Sequence, residues 1–324
     1  RRRNKKLKSP GEITEMTPEQ VLEFEKCTFD PIHFIKTYCK VKHPHRGSVP
    51  FLLWPFQERM ITAYQEHRFN IVLASRQVGK STVSAIYLLW FAIFHPDKAV
   101  LIASNKNKGA MEMISRIRYA YEELPHWIKP GVKDDEWNKH TVGFDNGSKI
   151  DSTATSEDAG RGESISLLFL DEFAHVKRNI QDPFWMAISP TLSTGGSCIM
   201  SSTPNGDMDK FSQFWRNAEV GIVSHQGDAD DKNSSDIKFN PIRVRWDEPP
   251  GRDEAFKQAE IAQNGQQYWD QEFDCQFLSS DALLIDSMTL QHLTKNANDK
   301  YIIRNEVTFW EDVKRESTYL IGVD

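Results

Sequence analysis

The chain has few cysteines, no long apolar run and no excess of basic residues. Its four cysteines are scattered without metal-ligand spacing, at Cys27, Cys39, Cys198 and Cys275. This pattern predicts a reducing compartment, with neither disulfides nor zinc. The longest apolar run, Ala85 to Phe94, is too short to cross a bilayer, so no membrane partner is expected. Because the chain has a formal net charge of −6, any contact with nucleic acid requires local basic patches.

The composition is typical of a globular protein. The 324 residues are 39% hydrophobic and 27% charged, enough for a sizeable core and a smaller subdomain. Six of the first eight residues are basic. This run is typical of a solvated tail, with a DNA-contacting arm as the alternative.

A phosphate-binding loop is the most informative pattern in the sequence. It reads Ala74, Ser75, Arg76, Gln77, Val78, Gly79, Lys80 and Ser81. An apolar strand pattern precedes it at Phe69 to Leu73, and an apolar helical run follows from Thr82 to Phe94. Such a loop presents helix N-terminal N–H groups to a nucleotide phosphate, with Lys80 on the phosphates and Ser81 on Mg²⁺. Ala74 replaces the usual first glycine, which makes the motif less specific.

Two carboxylates follow a second apolar strand pattern, Ser166 to Leu170. Asp171 and Glu172 therefore lie where a buried parallel strand ends, the position that complements a phosphate loop. We expect Asp171 to hold Mg²⁺ through water and Glu172 to orient and deprotonate the attacking water. The two motifs together predict hydrolysis of a nucleoside triphosphate.

A third strand pattern, Ser197 to Met200, leads into a hydroxyl-rich segment and a turn. Ser201, Ser202 and Thr203 are placed to sense the γ-phosphate at the same sheet edge. The alternative is a strand followed by a turn with no role in the site.

The alternation of strand and helix patterns from about residue 51 to 223 predicts an α/β fold with a mainly parallel sheet covered by helices. Asn146-Gly147 predicts a hairpin turn, and residues 41–50 are predicted to be a linker. Helices within Glu254 to Phe273 could pack with the N-terminal segment as a lid. Four regions are predicted. Residues 1–50 form a helical segment of the lid, 51–245 form the ATPase core, 246–310 form the lid and a linker, and 311–324 form the first strand of a further domain.

These motifs resemble the large terminase subunit of tailed double-stranded DNA phages, of the myovirus type. The resemblance is carried by 75–81, 169–174 and 201–206, with Pro55-Phe56-Gln57 upstream and 246–252 downstream, and it covers nearly the whole chain. It implies a P-loop NTPase core of the RecA-like ASCE class with a small helical lid. The implied function is an ATPase motor that moves double-stranded DNA into a procapsid.

The resemblance also implies roles for individual residues. Arg76, Lys80 and Glu172 correspond to catalytic residues, with Arg76 on the γ-phosphate or in a neighbouring role. Ser81 and Asp171 would hold Mg²⁺, and Ser201, Ser202 and Thr203 would couple hydrolysis to movement. Gln57 would read the adenine edge, or would be a surface polar residue at a helix start. The implied ATP-binding residues are Gln57, Ser75, Arg76, Gln77, Val78, Gly79, Lys80, Ser81 and Thr82.

The implied partners are double-stranded DNA, the portal protein of the procapsid and the small terminase subunit, in the cytoplasm of the host cell during assembly. The resemblance implies that the protein forms a homo-oligomeric ring when docked. It leaves open whether the isolated protein is a monomer. Asp324, after the apolar run 317–323, resembles the first metal ligand of the family's ribonuclease-H-like endonuclease. Because two-metal cleavage needs several carboxylates, we expect this chain not to cut DNA.

Two other functions remain as alternatives. A RecA-like helicase or translocase would also use a phosphate loop and an Asp-Glu pair, but it would need a second sheet domain for which 225–324 are too few and too irregular. A nucleotide-dependent binding switch is less compatible with Glu172, since a switch needs no catalytic base.

Overall fold

The computed structural model describes residues 4–157, 159–160, 162, 164–224, 238–278, 302–304 and 307–309. The chain forms two compact units, Arg1–Leu278 and Ser279–Asp324. In the second unit, a strand at Ile302–Arg304 pairs antiparallel with one at Val307–Phe309. The phosphate loop and the two carboxylates lie in the first unit.

Helices and strands alternate through most of the first unit. The α-helices are α1 Pro18–Phe29, α2 Pro31–Tyr38, α3 Pro55–Glu66, α4 Lys80–Phe94, α5 Asn107–Glu123, α6 Arg178–Ile188, α7 Lys210–Ser224, α8 Glu254–Asn264 and α9 Gln266–Glu272. The strands are β1 Lys40–His43, β2 Gly47–Pro50, β3 Phe69–Ala74, β4 Ala99–Ser104, β5 Val132–Trp137, β6 Thr141–Phe144, β7 Lys149–Ala154, β8 Leu167–Asp171, β9 Ser197–Ser202 and β10 Asn240–Val244.

The central sheet has eight strands in the order β10-β3-β9-β8-β4-β7-β6-β5. The first six strands run parallel, and β6 and β5 are added antiparallel at one edge. The mainly parallel sheet predicted from the sequence is confirmed, as is the hairpin that turns at Asn146-Gly147 between β6 and β7. Because β3, β8 and β9 are adjacent and parallel, the three predicted site segments meet at one edge.

Each face of the sheet is covered by its own apolar layer. In β3, Val72 and Ala74 belong to a core cluster that also includes residues of α1 to α5. Ile71 and Leu73 belong to a second cluster with residues of α6 and α7. Successive side chains of a strand point to opposite faces, so a continuous apolar run is what a strand covered on both sides needs. The phosphate loop therefore starts from a strand anchored in two cores.

The N-terminal region differs from its prediction in detail. A Thr17 capping box begins α1, and Asp30 both ends α1 and caps α2, so that the predicted helical segment contains two helices. The predicted linker 41–50 instead forms the β1–β2 hairpin, because Val41 and Val49 pair across a tight turn. The helices are fixed to α4, where the Trp90 indole N–H donates to the Cys27 carbonyl at 2.8 Å.

The helices α8 and α9 are present within the predicted segment. The packing of the N-terminal segment with them as a lid, and the domain boundaries, stay predictions. Across the described ranges, no helix is both long and apolar enough to span a bilayer.

Candidate nucleotide-binding site

The phosphate loop joins β3 to α4 and lines a cavity of about 370 Å³. Gly79 has φ +78°, and Gln77 has φ +58°, a left-handed conformation that is uncommon for a residue with a side chain. The positive φ favours glycine at position 79, and a Cβ there would lie 3.0 Å from the Gln57 amide nitrogen, which would have to shift slightly. The cavity is lined by Arg76, Gln77, Val78, Gly79, Lys80, Ser81, Thr82, Asn105, Arg116, Glu172, His175, Thr203 and Glu272.

The two predicted catalytic charges contact each other across the cavity. Lys80 Nζ, whose side chain is only 8% exposed, lies 2.8 Å from Glu172 Oε1. Glu172 has φ +52° directly after β8, and its N–H donates to the Ser201 carbonyl at 2.8 Å. Backbone strain of this kind persists only where the surroundings hold it in place, and it is common at functional sites.

The predicted metal ligands also lie together. The Ser81 hydroxyl donates to Asp171 Oδ1 at 3.2 Å. Burial, followed by the neighbouring Glu172 charge, raises the pKa of Asp171 to about 6. A buried carboxylate with this pKa lacks sufficient positive charge nearby. The oxygen pair therefore fits a divalent cation such as Mg²⁺.

Glu172 titrates in the opposite direction from its neighbour. Burial favours its neutral form, but the charge of Lys80 and its hydrogen bond outweigh burial and lower the pKa of Glu172 below its usual value. Glu172 is thus a carboxylate at neutral pH and is able to accept a proton. The pKa values of the two adjacent acids are thus shifted in opposite directions, and Lys80 forms its ion pair with Glu172.

The end of β9 provides hydrogen-bond donors to Glu172. The Ser202 hydroxyl and the Thr203 N–H each lie 3.4 Å from Glu172 Oε2. His175 Nε2 is 2.8 Å from the Thr203 hydroxyl and 3.9 Å from the same carboxylate oxygen. The Ser201 hydroxyl is fully buried and has no hydrogen-bond partner within the described part of the chain. The predicted coupling segment is therefore in direct contact with the predicted base.

Arg76 lines the cavity, but its charge is held at the rim. Its guanidinium lies 3.5 Å from a Glu272 carboxylate oxygen and 5.8 Å from the centre of the Tyr268 ring. The Arg76 N–H also donates to the Glu272 carbonyl at 2.8 Å. With 48% of the side chain exposed, this ion pair is a weak constraint, and Arg76 is free to turn toward a bound anion.

Gln57 lies beneath the loop. It is 2% exposed, its amide N–H donates to the Val78 carbonyl at 3.3 Å, and its oxygen accepts the Trp54 N–H at 3.1 Å. The alternative of a surface polar residue is wrong, because the helix start it caps is covered by the loop. Adenine recognition stays a prediction, and the observed contacts support the loop instead.

Several site residues were missed at the sequence level. Asn105 follows β4 at the same sheet edge as the other site residues, and that position could have indicated it. Arg116, in the middle of α5, carries no local signal, and Arg252, before α8, ends the segment 246–252 that resembles the family but was assigned no role in the site. Arg252 donates to two carbonyl oxygens of the phosphate loop. Asp324 lies outside the described residues.

Comparison with known proteins supports the same fold. The model of the family "Terminase large subunit, T4likevirus-type, N-terminal" matches residues 71–292. The ATPase domain of the Thermus phage P74-26 large terminase has 19% identity and a TM-score of 0.50, over 67% of this chain and 92% of that domain. The HK97 bacteriophage large terminase has 17% identity and a TM-score of 0.57, over 86% of this chain and 59% of that one.

A third structure, the large terminase of a thermophilic bacteriophage in complex with ADP, has 13% identity and a TM-score of 0.52. The match covers 69% of this chain and 54% of that one. At these identities the structures establish the fold, while the family model spans more than half of the chain. The chain belongs to the T4-like large terminase family and carries the N-terminal part of the large subunit.

Proposed function

We propose that this chain hydrolyses ATP as the motor that drives double-stranded DNA into a viral procapsid. The proposal rests on one observation. At the carboxyl edge of three adjacent parallel strands, Lys80 pairs with Glu172 beside the Ser81–Asp171 hydrogen bond, at a single cavity. A fixed cation, a carboxylate kept ionised and an oxygen pair for a metal are the groups that phosphoryl transfer to water needs. Membership of the large terminase family assigns this chemistry to DNA packaging.

The geometry suggests how the base and the cation act. Lys80 now pairs with Glu172, and a bound triphosphate would attract the Lys80 ammonium to its own oxygens. Glu172 would then retain hydrogen bonds from the Ser202 hydroxyl and the Thr203 N–H, which orient one carboxylate oxygen and leave the other to accept a proton from water. His175, beside both Thr203 and Glu172, is placed to stabilise the carboxylate.

Ser81 and Asp171 would hold Mg²⁺. When bound, the ion supplies positive charge that neutralises the phosphate oxygens. The adenine nucleotide is supported by the fold shared with the thermophilic-phage terminase whose structure contains ADP. Arg76 would stabilise charge on the γ-phosphate once it leaves Glu272.

The partners follow from the same proposal. We expect double-stranded DNA, the portal protein and the small terminase subunit as partners, a ring of subunits when docked, and a site of action in the host cytoplasm. An endonuclease beyond the ATPase, with Asp324 as a metal ligand, remains a prediction that concerns residues outside the described part of the chain.

Phosphate release from ATP, measured alone, with linear DNA and with DNA plus portal-bearing procapsids, tests the proposal. The expected result is slow basal release that rises with DNA and procapsids and is lost on Mg²⁺ removal. A helicase instead would separate a labelled duplex with a single-stranded tail. Strand separation without stimulation by procapsids would favour that alternative.

A further inference from the structure

The outer side of the phosphate loop is held by a residue far along the chain. Arg252 donates to the Arg76 carbonyl at 3.1 Å and to the Gln77 carbonyl at 3.0 Å. Its other terminal nitrogen lies 3.4 Å from the Trp246 carbonyl. Both loop bonds come from the same terminal nitrogen, whose two N–H groups lie in the guanidinium plane, so this nitrogen can reach two neighbouring carbonyls while the other bonds Trp246.

Arg252 is itself held in place by aromatic rings. Its guanidinium carbon lies 5.2 Å from the centre of the Phe256 ring and 5.7 Å from that of Phe273. The centres of the two rings are 5.7 Å apart. Burial lowers the pKa of Arg252, but a guanidinium remains charged at every physiological pH. The result is a preorganised cation directed at the loop backbone.

The carbonyl contacts determine where the loop N–H groups point. In a trans peptide the C=O of one residue and the N–H of the next point in opposite directions. When Arg252 holds the carbonyls of Arg76 and Gln77, it turns the N–H groups of Gln77 and Val78 the other way. Gln57 acts in the same way one residue later. Its hydrogen bond to the Val78 carbonyl directs the Gly79 N–H away from Gln57.

Arg252 and Gln57 together thus hold the carbonyls of three successive peptides. Successive N–H groups that face the same way form an anion-binding concavity, and these residues line the cavity beside Lys80. The left-handed φ of Gln77 makes this outside support necessary, since a residue with a Cβ does not favour that conformation.

We propose that Arg252 is a positioning residue of the ATPase, which orients the phosphate-loop N–H groups toward the β-phosphate. This inference rests on the proposed function and extends it to a residue that does not touch the nucleotide. It also makes the segment that contains α8 and α9 part of the nucleotide site, since Glu272 of α9 contacts the same loop through Arg76.

The test compares Arg252→Gln with Arg252→Lys and Arg245→Gln. Arg245 is an exposed arginine of the same segment that pairs with Asp247 and provides the matched control. Calorimetry gives the affinities for ADP and pyrophosphate, and phosphate release gives kcat and KM. For Arg252→Gln we expect ADP affinity at least about tenfold lower, from the loss of two charged hydrogen bonds, with lower kcat and higher KM.

Arg252→Lys should fall between the parent and the glutamine variant, about threefold weaker for ADP, because an ammonium has several donors but lacks the second, coplanar nitrogen that bonds the Trp246 carbonyl. Arg245→Gln should stay within about twofold of the parent, as expected for an exposed ion pair. A role in folding alone would lower Tm without changing ADP affinity at temperatures well below unfolding.

A folded Arg252→Gln variant that binds ADP as tightly as the parent overturns the inference. If that variant does not fold, Arg252→Lys decides, and parent values of both ADP affinity and kcat would overturn it. A parent chain that binds neither ADP nor pyrophosphate would overturn the proposed function as well. ADP binding by the parent with no effect of Arg252 would overturn this inference alone.

Discussion

The two sides of the nucleotide site are built by different means. The acidic side, Asp171 and Glu172, is positioned by the main-chain ladder between β8 and β9, which runs through Asp171 and Ser201. The loop side, Arg76 to Gly79, lies outside the strands of the sheet. Its carbonyls accept hydrogen bonds from the side chains of Gln57 and Arg252. A sheet positions groups rigidly, whereas a loop held by side chains can change conformation when one contact is exchanged for another. The acidic side is therefore suited to chemistry and the loop side to sensing the nucleotide.

The largest effect is expected where the two sides meet. Lys80→Ala removes the cation that pairs with Glu172 and would reach the phosphates, so turnover should fall by about a thousandfold. ADP affinity should fall as well, since ground-state contacts are lost. Phosphate release and calorimetry measure both quantities. Lys133→Ala, on the edge strand β5, is the control, and a Lys80 variant with the same turnover as that control would contradict the assignment.

Glu172→Gln tests the acidic side alone. The amide keeps the shape but accepts no proton, so phosphate release should fall by about a hundredfold while ADP affinity is retained. Single-turnover phosphate release and calorimetry on the same sample check this separation. Turnover within a few-fold of the parent would show that Glu172 is not the base.

Asp171→Asn tests what the ionised Asp171 costs in stability. The folded-state pKa of Asp171 is raised to about 6 from 3.8, so the ionised group destabilises the unliganded protein above pH 6, and this cost disappears as pH falls from about 6 to about 4. At pH 8 the Asn variant should be more stable by about 2 kcal/mol, and near pH 4 the two should converge. Urea unfolding at both pH values measures the difference. An equal difference in unfolding free energy at both pH values would show that the Asp171 charge does not cause the destabilisation.

Arg76→Ala tests the loop side and should have the smallest effect on stability. Its exposed pair with Glu272 contributes little, so stability should change by less than about 1 kcal/mol. Turnover should fall strongly if the guanidinium stabilises charge on the γ-phosphate, with ADP affinity nearly unchanged. Calorimetry with ADP and with a non-hydrolysable ATP analogue separates the two. Equal losses for both nucleotides would instead make Arg76 a support of the loop.

The strands, the helix after the loop and the positions of Lys80, Asp171 and Glu172 could be read from the sequence. Each depends on local pattern: an apolar run favours a buried strand, and its end marks the sheet edge. The β1–β2 hairpin was missed because its residues are rich in turn formers, and the burial of Gln57 was missed because the loop that covers it is remote in sequence.

Local residue order thus determined the strand, the loop and the chemical groups that the site contains. The tertiary structure decided which partners those groups have. Arg252 lies far along the chain from the loop it holds, and no short-range pattern encodes a contact across such a separation. The opposite pKa shifts of Asp171 and Glu172 arise in the same way, because burial and the distance to Lys80 exist only after the strands and α4 have packed together.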